Sequence, residues 1–210
     1  YQSKHWAIIH LMNKFKWLLV LVIGLGAVLR LRNLTILPID AHAMRQTDTE
    51  CSVYFLAKGK ADLLHPKTCL IRPASNANGY FYLEFPAYEG VLALGYKLFG
   101  FQTVVLRIIN LGLYVLLAWG LYLVLKDWFD EWLALVGTLL FSVAPASIFF
   151  LGHAIHPDLM AILTLVWSIY FLTKRRNVWL AGVLLGISVA TRPFILIAWP
   201  VFLAILIKQK

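Results

Sequence analysis

Polar side chains are concentrated in the thirteen residues from Pro38 to Glu50, P-I-D-A-H-A-M-R-Q-T-D-T-E. This segment holds two aspartates, a glutamate, an arginine and a histidine, and it follows an apolar run of membrane-spanning length. A carboxylate can act as a general base, and an arginine can bind a carboxylate or phosphate through paired hydrogen bonds. The segment is therefore a candidate for half of an active site at a membrane surface, with Asp48 as the first candidate base.

The composition indicates an integral membrane protein. Of the 210 residues, 61% are hydrophobic and 14% are charged, whereas soluble domains carry about 25% charged residues. The formal net charge is +9, but the basic residues lie mostly at the ends of apolar runs. The charge is therefore interpreted as a topology signal rather than as a nucleic-acid surface.

The apolar runs predict an all-α integral membrane fold, a polytopic helical bundle with about 5–6 spans. The first run, residues 15–31, lacks a following small-residue cleavage site and is interpreted as a retained anchor. A polar first loop, 33–102, is predicted to contain interfacial helices near 47–58 and 81–99, since Glu84 and Glu89 would be costly in lipid. The remaining predicted spans are 104–125, 133–150 and 159–173, followed by the shorter runs 178–190 and 194–207.

The positions of basic residues predict the orientation. Lys14 and Lys16 precede the first run, which places the N-terminus in the cytoplasm by the positive-inside rule. Asp48, Glu84 and Asp158 are then all on the outer face. Each of these carboxylates also has an alternative, structural explanation, such as capping a helix or occupying a favourable position in its first turn. Their occurrence on one face is what indicates a site.

Four motifs carry a resemblance to a known family. Residues 42–49, H-A-M-R-Q-T-D-T, resemble the H-P-W-R-Q-A-D-T signature of bacterial family 39 glycosyltransferases, which are relatives of protein O-mannosyltransferases and of the aminoarabinose transferase that modifies lipid A. Residues 83–88, L-E-F-P-A-Y, resemble T-E-F-P-L-Y. The others are Y-K-L-F-G at 96–100, with Arg107 after it, and G-H-A-I-H-P-D at 152–158, which is similar to G-R-x-x-x-P-D.

Two positions depart from the family pattern. Met44 stands where the signature has a tryptophan, which changes a packing or stacking residue. His153 stands where the family has an arginine before P-D, which removes a fixed positive charge near the expected anionic donor.

The resemblance implies a C-type glycosyltransferase that uses a sugar on a polyprenyl phosphate and inverts the anomeric centre. It implies Asp48 as the base that takes the acceptor's proton, Asp158 as a second catalytic residue and Asp40 as the fallback base. Predicted substrate-binding residues are His42, Arg45, Gln46, Glu84, His153, Arg30 and Arg107. The arginines expected to bind the donor phosphate are, in decreasing order, Arg45, Arg30, Arg72 and Arg192. For the last two, a side chain that snorkels to the membrane interface or caps a helix is the favoured alternative.

Metal and disulfide chemistry are weaker expectations. The histidines at 42, 65, 153 and 156 could join Asp158 around a divalent metal, but their spacing matches no standard motif, so neither a metal site nor a cofactor is predicted. Cys51 and Cys69 are the two cysteines, both predicted outside, where a disulfide can form. Two unpaired thiols are the favoured alternative. A nucleotide-sugar donor is not expected, because a glycine-rich phosphate loop is lacking.

These observations predict a multi-pass glycosyltransferase of the cell (inner or plasma) membrane, with its active site on the outer face. Its partners would be a polyprenyl-phosphate sugar and a lipid, glycan or protein acceptor, without nucleic acid. The alternatives are a transporter or flippase of a lipid-linked sugar, and a structural membrane subunit. Residues 1–11 are expected to be an upstream extension, and residues 12–210 the N-terminal transmembrane glycosyltransferase module of a longer chain.

Overall fold

The computed structural model describes residues 2–32, 34–38, 40–69, 79–80 and 84–208, with side chains from residue 14 onward except 201 and 205–208. Within these residues the chain is helical, and extended pairing is limited to one isolated bridge between Lys67 and Tyr80. The predicted all-α class is therefore confirmed. The helices are α1 (Gln2–Arg30), α2 (Ala43–Ala57), α3 (Ala87–Phe99), α4 (Thr103–Trp128), α5 (Glu131–Val143), α6 (Pro145–Ile148), a π-helical turn (Phe149–His153), α7 (Asp158–Thr173), α8 (Val178–Thr191), a 3₁₀ helix (Pro193–Ala198) and α9 (Trp199–Lys208).

One described helix, α4, is both long and apolar enough to cross a membrane by itself. Helix α5 and the segment Pro145–His153 pass the same test together, but they are bent by 65° at the break. The bend follows from Pro145, which has no backbone N–H and forces Ala144 into an extended conformation. The segment 133–150, expected as one span, is thus bent, as in a broken span or a re-entrant loop. Helices α7 and α8 are apolar but shorter, and the number of spans stays a prediction.

Two helices in the first loop differ from their expected bounds. Helix α2 begins at Ala43 rather than near residue 47, because His42 takes a left-handed conformation (φ 59°) and turns the chain directly into the helix. Helix α3 begins at Ala87, after Pro86, and residues 81–83 of the helix expected from 81 lie outside the described residues. Both helices pack against each other, so the polar face of α2 lies beside the start of α3.

The main apolar core joins α2, α3, α4 and α7. Fully buried Tyr88, Leu92, Leu106 and Leu159 belong to this cluster. Helix α7 packs against both α4 and α8, while α1 packs against α5. The arrangement brings the start of α7 and the end of α8 close to α2 and α3, where the polar residues lie.

Arg30 connects α1 to the bent segment formed by α5 and Pro145–His153. The residue is 2% exposed, and its Nη1 donates to the carbonyl oxygens of Gly26 and Ser142, each at 2.9 Å. Its Nη2 donates to Ser147 Oγ at 2.7 Å, and its guanidinium lies 3.6 Å from the ring centroid of Tyr114. These described contacts are all within the protein, and the predicted substrate-binding role of Arg30 stays a prediction.

We expect Gly152→Ala to destabilise the fold. A Cβ at this position would lie 2.5 Å from Arg30 Cδ, and the contacts of Arg30 leave its side chain little room to move. The expected loss in free energy of unfolding is about 1–3 kcal/mol, as for other overpacked sites. Thermal unfolding in detergent measures it. Gly112→Ala in α4 is the control, since nothing lies within 4 Å of its Cβ position, and equal unfolding temperatures for the two variants would contradict the packing argument.

Candidate active site

One face of α2 lines a small cleft. Arg45, Asp48, Thr49 and Ser52 follow the three- and four-residue spacing that places helical side chains on one side. The opposite wall comes from the following loop and the start of α3, and the cavity volume is about 30 Å³. The residues lining that wall are Pro66, Glu84, Pro86 and Glu89. The cleft therefore contains three carboxyl groups and an arginine.

Asp48 is nearly enclosed at this cleft, with 5% of its surface exposed. The hydroxyl of Thr68 donates a hydrogen bond to Asp48 Oδ1. Thr68 comes from the loop after α2, which also contacts the helix where Ser52 Oγ donates to the carbonyl of Lys67 at 2.8 Å. The loop thus covers one side of Asp48 and orients its carboxylate.

A disulfide between Cys51 and Cys69 fixes this loop to α2. The expectation of two unpaired thiols is wrong. The two Cα atoms are 5.8 Å apart, a normal separation for a bridge. Cys51 lies three residues after Asp48, and Cys69 directly follows Thr68, so the covalent link holds the hydroxyl donor next to the carboxylate.

A chain of ion pairs connects the cleft to the distant end of α8. Arg45 pairs with Glu84, and Arg192 Nη1 lies 2.9 Å from Glu84 Oε2. Arg192 also pairs through Nε with Asp158 Oδ1, and its Nη2 lies 3.2 Å from His156 Nδ1. Arg192 was expected to snorkel or cap a helix, but the structure places it between two of the predicted site carboxylates.

Asp40 lies at a second polar contact. Gln46 Nε2 donates to Asp40 Oδ1 at 2.6 Å, and His153 Nε2 lies 2.7 Å from Asp40 Oδ2. The side chain of Asp40 is 32% exposed, so it is much more accessible than Asp48. Gln46 is fully buried and also accepts from the N–H of Ile155 at 3.2 Å. The amide nitrogen of Gln46 thus binds the first loop and its oxygen binds the 152–158 segment, so the side chain connects the two.

The other sequence-predicted residues lie around these two groups. His42 precedes α2, and its ring centroid is 5.2 Å from that of Phe150 and 6.4 Å from that of His156. Arg107 is 1% exposed, and its Nη1 donates to the carbonyl of Leu34 at 3.1 Å. It therefore positions the start of the first loop on α4. Arg72 lies outside the described residues.

Glu89 is a site residue that the sequence reasoning missed. It is 5% exposed, and its Oε2 has no hydrogen-bond partner among the described residues. Burial raises the pKa of Glu89 to about 7, although its own backbone N–H and the charge of Arg45 oppose the shift. The available signal was helical spacing, because Glu89 shares the buried stripe of α3 with Leu92, Ala93 and Tyr96.

The described residues do not gather a metal site. Groups of three or more histidine, cysteine, aspartate or glutamate side chains suited to a metal ion are absent from them. Two of the three carboxyl groups at the cleft contact arginine or hydroxyl donors, in the pairs Arg45–Glu84 and Thr68–Asp48.

Comparison with known proteins gives the class. Residues 86–210 match the model of the family described as dolichyl-phosphate-mannose-protein mannosyltransferase, which is more than half of the chain. The chain belongs to this family, and the resemblance to family 39 glycosyltransferases is confirmed. The family suggests a membrane glycosyltransferase. Neither a curated protein nor a solved structure matches the chain.

The matched region divides the candidate site. It begins at Pro86 and so contains Glu89, Asp158 and Arg192, whereas Asp48 lies before it. The contacts across this boundary, above all that of Glu84 with Arg192, connect the first loop to the matched part of the chain.

The stability of the protein should depend on pH through Glu89. Its folded pKa, about 7, lies above the ordinary value of about 4.3, so the folded state binds the additional proton between these values. Stability should therefore fall as the pH rises from about 4.5 to 7, by up to about 3 kcal/mol. Glu89→Gln should remove this part of the profile and be the more stable protein above pH 7.

Chemical unfolding from pH 5 to 8 tests this expectation. The charged groups around Glu89 are Arg45, Glu84 and Arg192, and all three stay in the variant. Glu131→Gln, at an ion pair with Lys126 remote from the cleft, is the matched control. Parallel profiles for wild type and Glu89→Gln would contradict the assignment.

Removal of the disulfide should destabilise the loop beside Asp48. The bridge closes a segment with a sequence separation of 18, for which loop-closure entropy predicts a stabilisation of about 3 kcal/mol. Cys51→Ala combined with Cys69→Ala should lower the unfolding temperature. A reductant should lower that of the wild type and leave the double variant unchanged. Two free thiols in the oxidised wild type, detected by mass spectrometry, would disprove the bridge.

Proposed function

We propose that the protein transfers a sugar from a polyprenyl-phosphate donor to an acceptor hydroxyl, with Asp48 as the general base. The observation that carries the site is the cleft in which Asp48 lies beside Arg45 and Glu84. The family match supports the class of reaction.

The reaction is an inverting displacement. The Asp48 carboxylate accepts the proton of the acceptor hydroxyl as its oxygen forms a bond with the anomeric carbon. The bond between that carbon and the phosphate oxygen breaks, and polyprenyl phosphate leaves with the electron pair. The acceptor oxygen must come within about 2.6–3.2 Å of the carboxylate. The hydrogen bond from Thr68 orients the Asp48 carboxylate within the cleft.

Arg45 is the group best placed to bind the leaving phosphate. One of its Nη atoms pairs with Glu84, while its Nε has no hydrogen-bond partner among the described residues. Guanidinium geometry suits a phosphate with two acceptor oxygens. Arg192 donates to Glu84, Asp158 and His156 instead. We therefore assign positioning roles to Glu84, Asp158 and Arg192.

Asp40 is the second candidate base, and its exposure favours it. Its side chain is 32% exposed and contacts His153, an arrangement in which a histidine can orient a carboxylate. An acceptor could approach it with less movement of the protein than Asp48 requires. The two aspartates make different predictions when they are replaced one at a time.

The proposed location is the outer face of the cell membrane. The N-terminus would be cytoplasmic and the chain multi-pass, with about 5–6 spans. Helix α4 and the bent pair α5 and Pro145–His153 support insertion by their length and composition. A flippase is the rival function, and it would move the lipid-linked sugar without breaking the sugar–phosphate bond.

Asp48→Asn should abolish transfer while leaving the fold intact. General base catalysis contributes about 10²–10⁴-fold, so a loss of at least about 10²-fold is expected. The assay gives the purified full-length protein a labelled polyprenyl-phosphate sugar and a membrane extract that contains acceptors. Asp62→Asn, at an exposed side chain, is the control and should retain full activity. Donor retention and unfolding temperature should be unchanged in each variant.

Three outcomes of this assay would overturn parts of the proposal. Wild-type transfer by Asp48→Asn would exclude Asp48 as the base. Loss of transfer in Asp40→Asn, with activity kept in Asp48→Asn, would assign the base to Asp40. Movement of the labelled lipid across vesicles without cleavage of the sugar–phosphate bond would establish the flippase.

A further inference from the structure

A second cavity lies at the end of the bundle remote from the candidate active site. Helix α4 has 26 residues, a length of about 39 Å at 1.5 Å per residue. Arg107 contacts the first loop near the beginning of this helix, whereas Lys126 and Asp127 line the cavity at its other end. The separation along the helix between Arg107 and Lys126 is about 30 Å, which matches the hydrocarbon thickness of a bilayer.

The cavity is a groove with an apolar floor and a basic rim. Its cavity volume is about 380 Å³. The apolar part is formed by side chains of α1, α4 and α7, namely Phe15, Leu19, Trp119, Leu123 and Tyr170. Three lysines from three different parts of the chain, Lys16, Lys126 and Lys174, line its polar end. Such a shape suits an amphiphile with one chain and one charged headgroup.

Charge complementarity selects an anionic headgroup. Two of the rim lysines are already balanced, because Lys126 pairs with Glu131 and Lys174 Nζ lies 2.8 Å from Asp127. Lys16 has no carboxylate partner among the described residues. Its sequence neighbour Lys14 and the pair that follows Lys174, Arg175 and Arg176, are exposed and add positive charge at the same end.

Exposed tryptophans indicate the depth of the groove relative to a bilayer. Trp17, Trp128 and Trp132 each lie next to a groove residue in sequence, and Trp179 follows Lys174 by five residues. They are 70%, 45%, 59% and 77% exposed. Tryptophan and lysine together are typical of the interface where headgroups meet the acyl chains. The groove mouth therefore lies where a phospholipid would present its phosphate.

We propose that this groove binds one anionic glycerophospholipid, with an acyl chain along the apolar floor and the phosphate at Lys16. The site is separate from glycosyl transfer and needs neither the donor nor the acceptor. Its occupation would tie α1 to α4 and α7 at the face of the membrane opposite the candidate active site.

Lipid binding by the full-length protein in detergent tests the proposal. Native mass spectrometry with added phosphatidylglycerol should show one tightly retained lipid, and phosphatidylcholine should be retained less. Lys16→Gln should weaken phosphatidylglycerol binding about fivefold, the effect of one basic residue near an anionic lipid. Lys16→Arg should retain it. Lys14→Gln removes a neighbouring exposed charge outside the groove and should weaken binding much less than Lys16→Gln does.

A second variant tests the apolar floor. Leu19→Trp adds volume inside the groove and should abolish retention while all three rim lysines remain. Inorganic phosphate should not displace the lipid, because it cannot occupy the floor. Equal losses in Lys14→Gln and Lys16→Gln would show general surface attraction and overturn the site. Undiminished retention in Leu19→Trp, or displacement by phosphate alone, would overturn it as well. Unfolding temperatures without lipid establish that the variants are folded.

Discussion

The placement of Glu84 between Arg45 and Arg192 is the interaction on which the candidate site depends. It joins the first loop to the end of α8, and Arg192 extends the connection to Asp158 at the start of α7. A backbone hydrogen bond from Phe85 N to the carbonyl of Ala190, at 3.0 Å, supports the same junction. Removing one member of these partly buried pairs would leave the other charge uncompensated. The pairs therefore constrain each other more strongly than exposed pairs would.

A second set of neutral hydrogen bonds holds the 152–158 segment in place. Tyr88 donates to Asn110 Oδ1 at 2.7 Å, and Asn110 Nδ2 donates to the carbonyl of Ala154 at 3.0 Å. Gln46 accepts from Ile155 on the other side. Because these groups are buried and mutually satisfied, they fix one arrangement of the segment. His153 and Asp158 thereby reach Asp40 and Arg192 from a single short segment.

The features that the sequence predicts well are those encoded locally. The long apolar run predicts α4, whereas the bend at Pro145 within the run 133–150 was not predicted. Helix starts were less predictable, since the early start of α2 depends on the positive φ of His42. The pairing of Cys51 with Cys69 and the role of Arg192 depend on three-dimensional proximity, which residue spacing does not contain. The sequence shows that Glu89 carries a carboxyl group, but it does not predict that the group is buried, because the burial follows from the packing of α3.

The charge balance of the site constrains how it could receive a phosphate. The positive charges of Arg45 and Arg192 are matched by Glu84 and Asp158, so these two guanidinium groups bring no surplus charge that would attract an anion. Under the proposed function, a donor phosphate would have to share Arg45 with Glu84, and Arg192 would retain Glu84 as its own partner. The raised pKa of Glu89 fits the same requirement. A protonated Glu89 adds no negative charge near the phosphate.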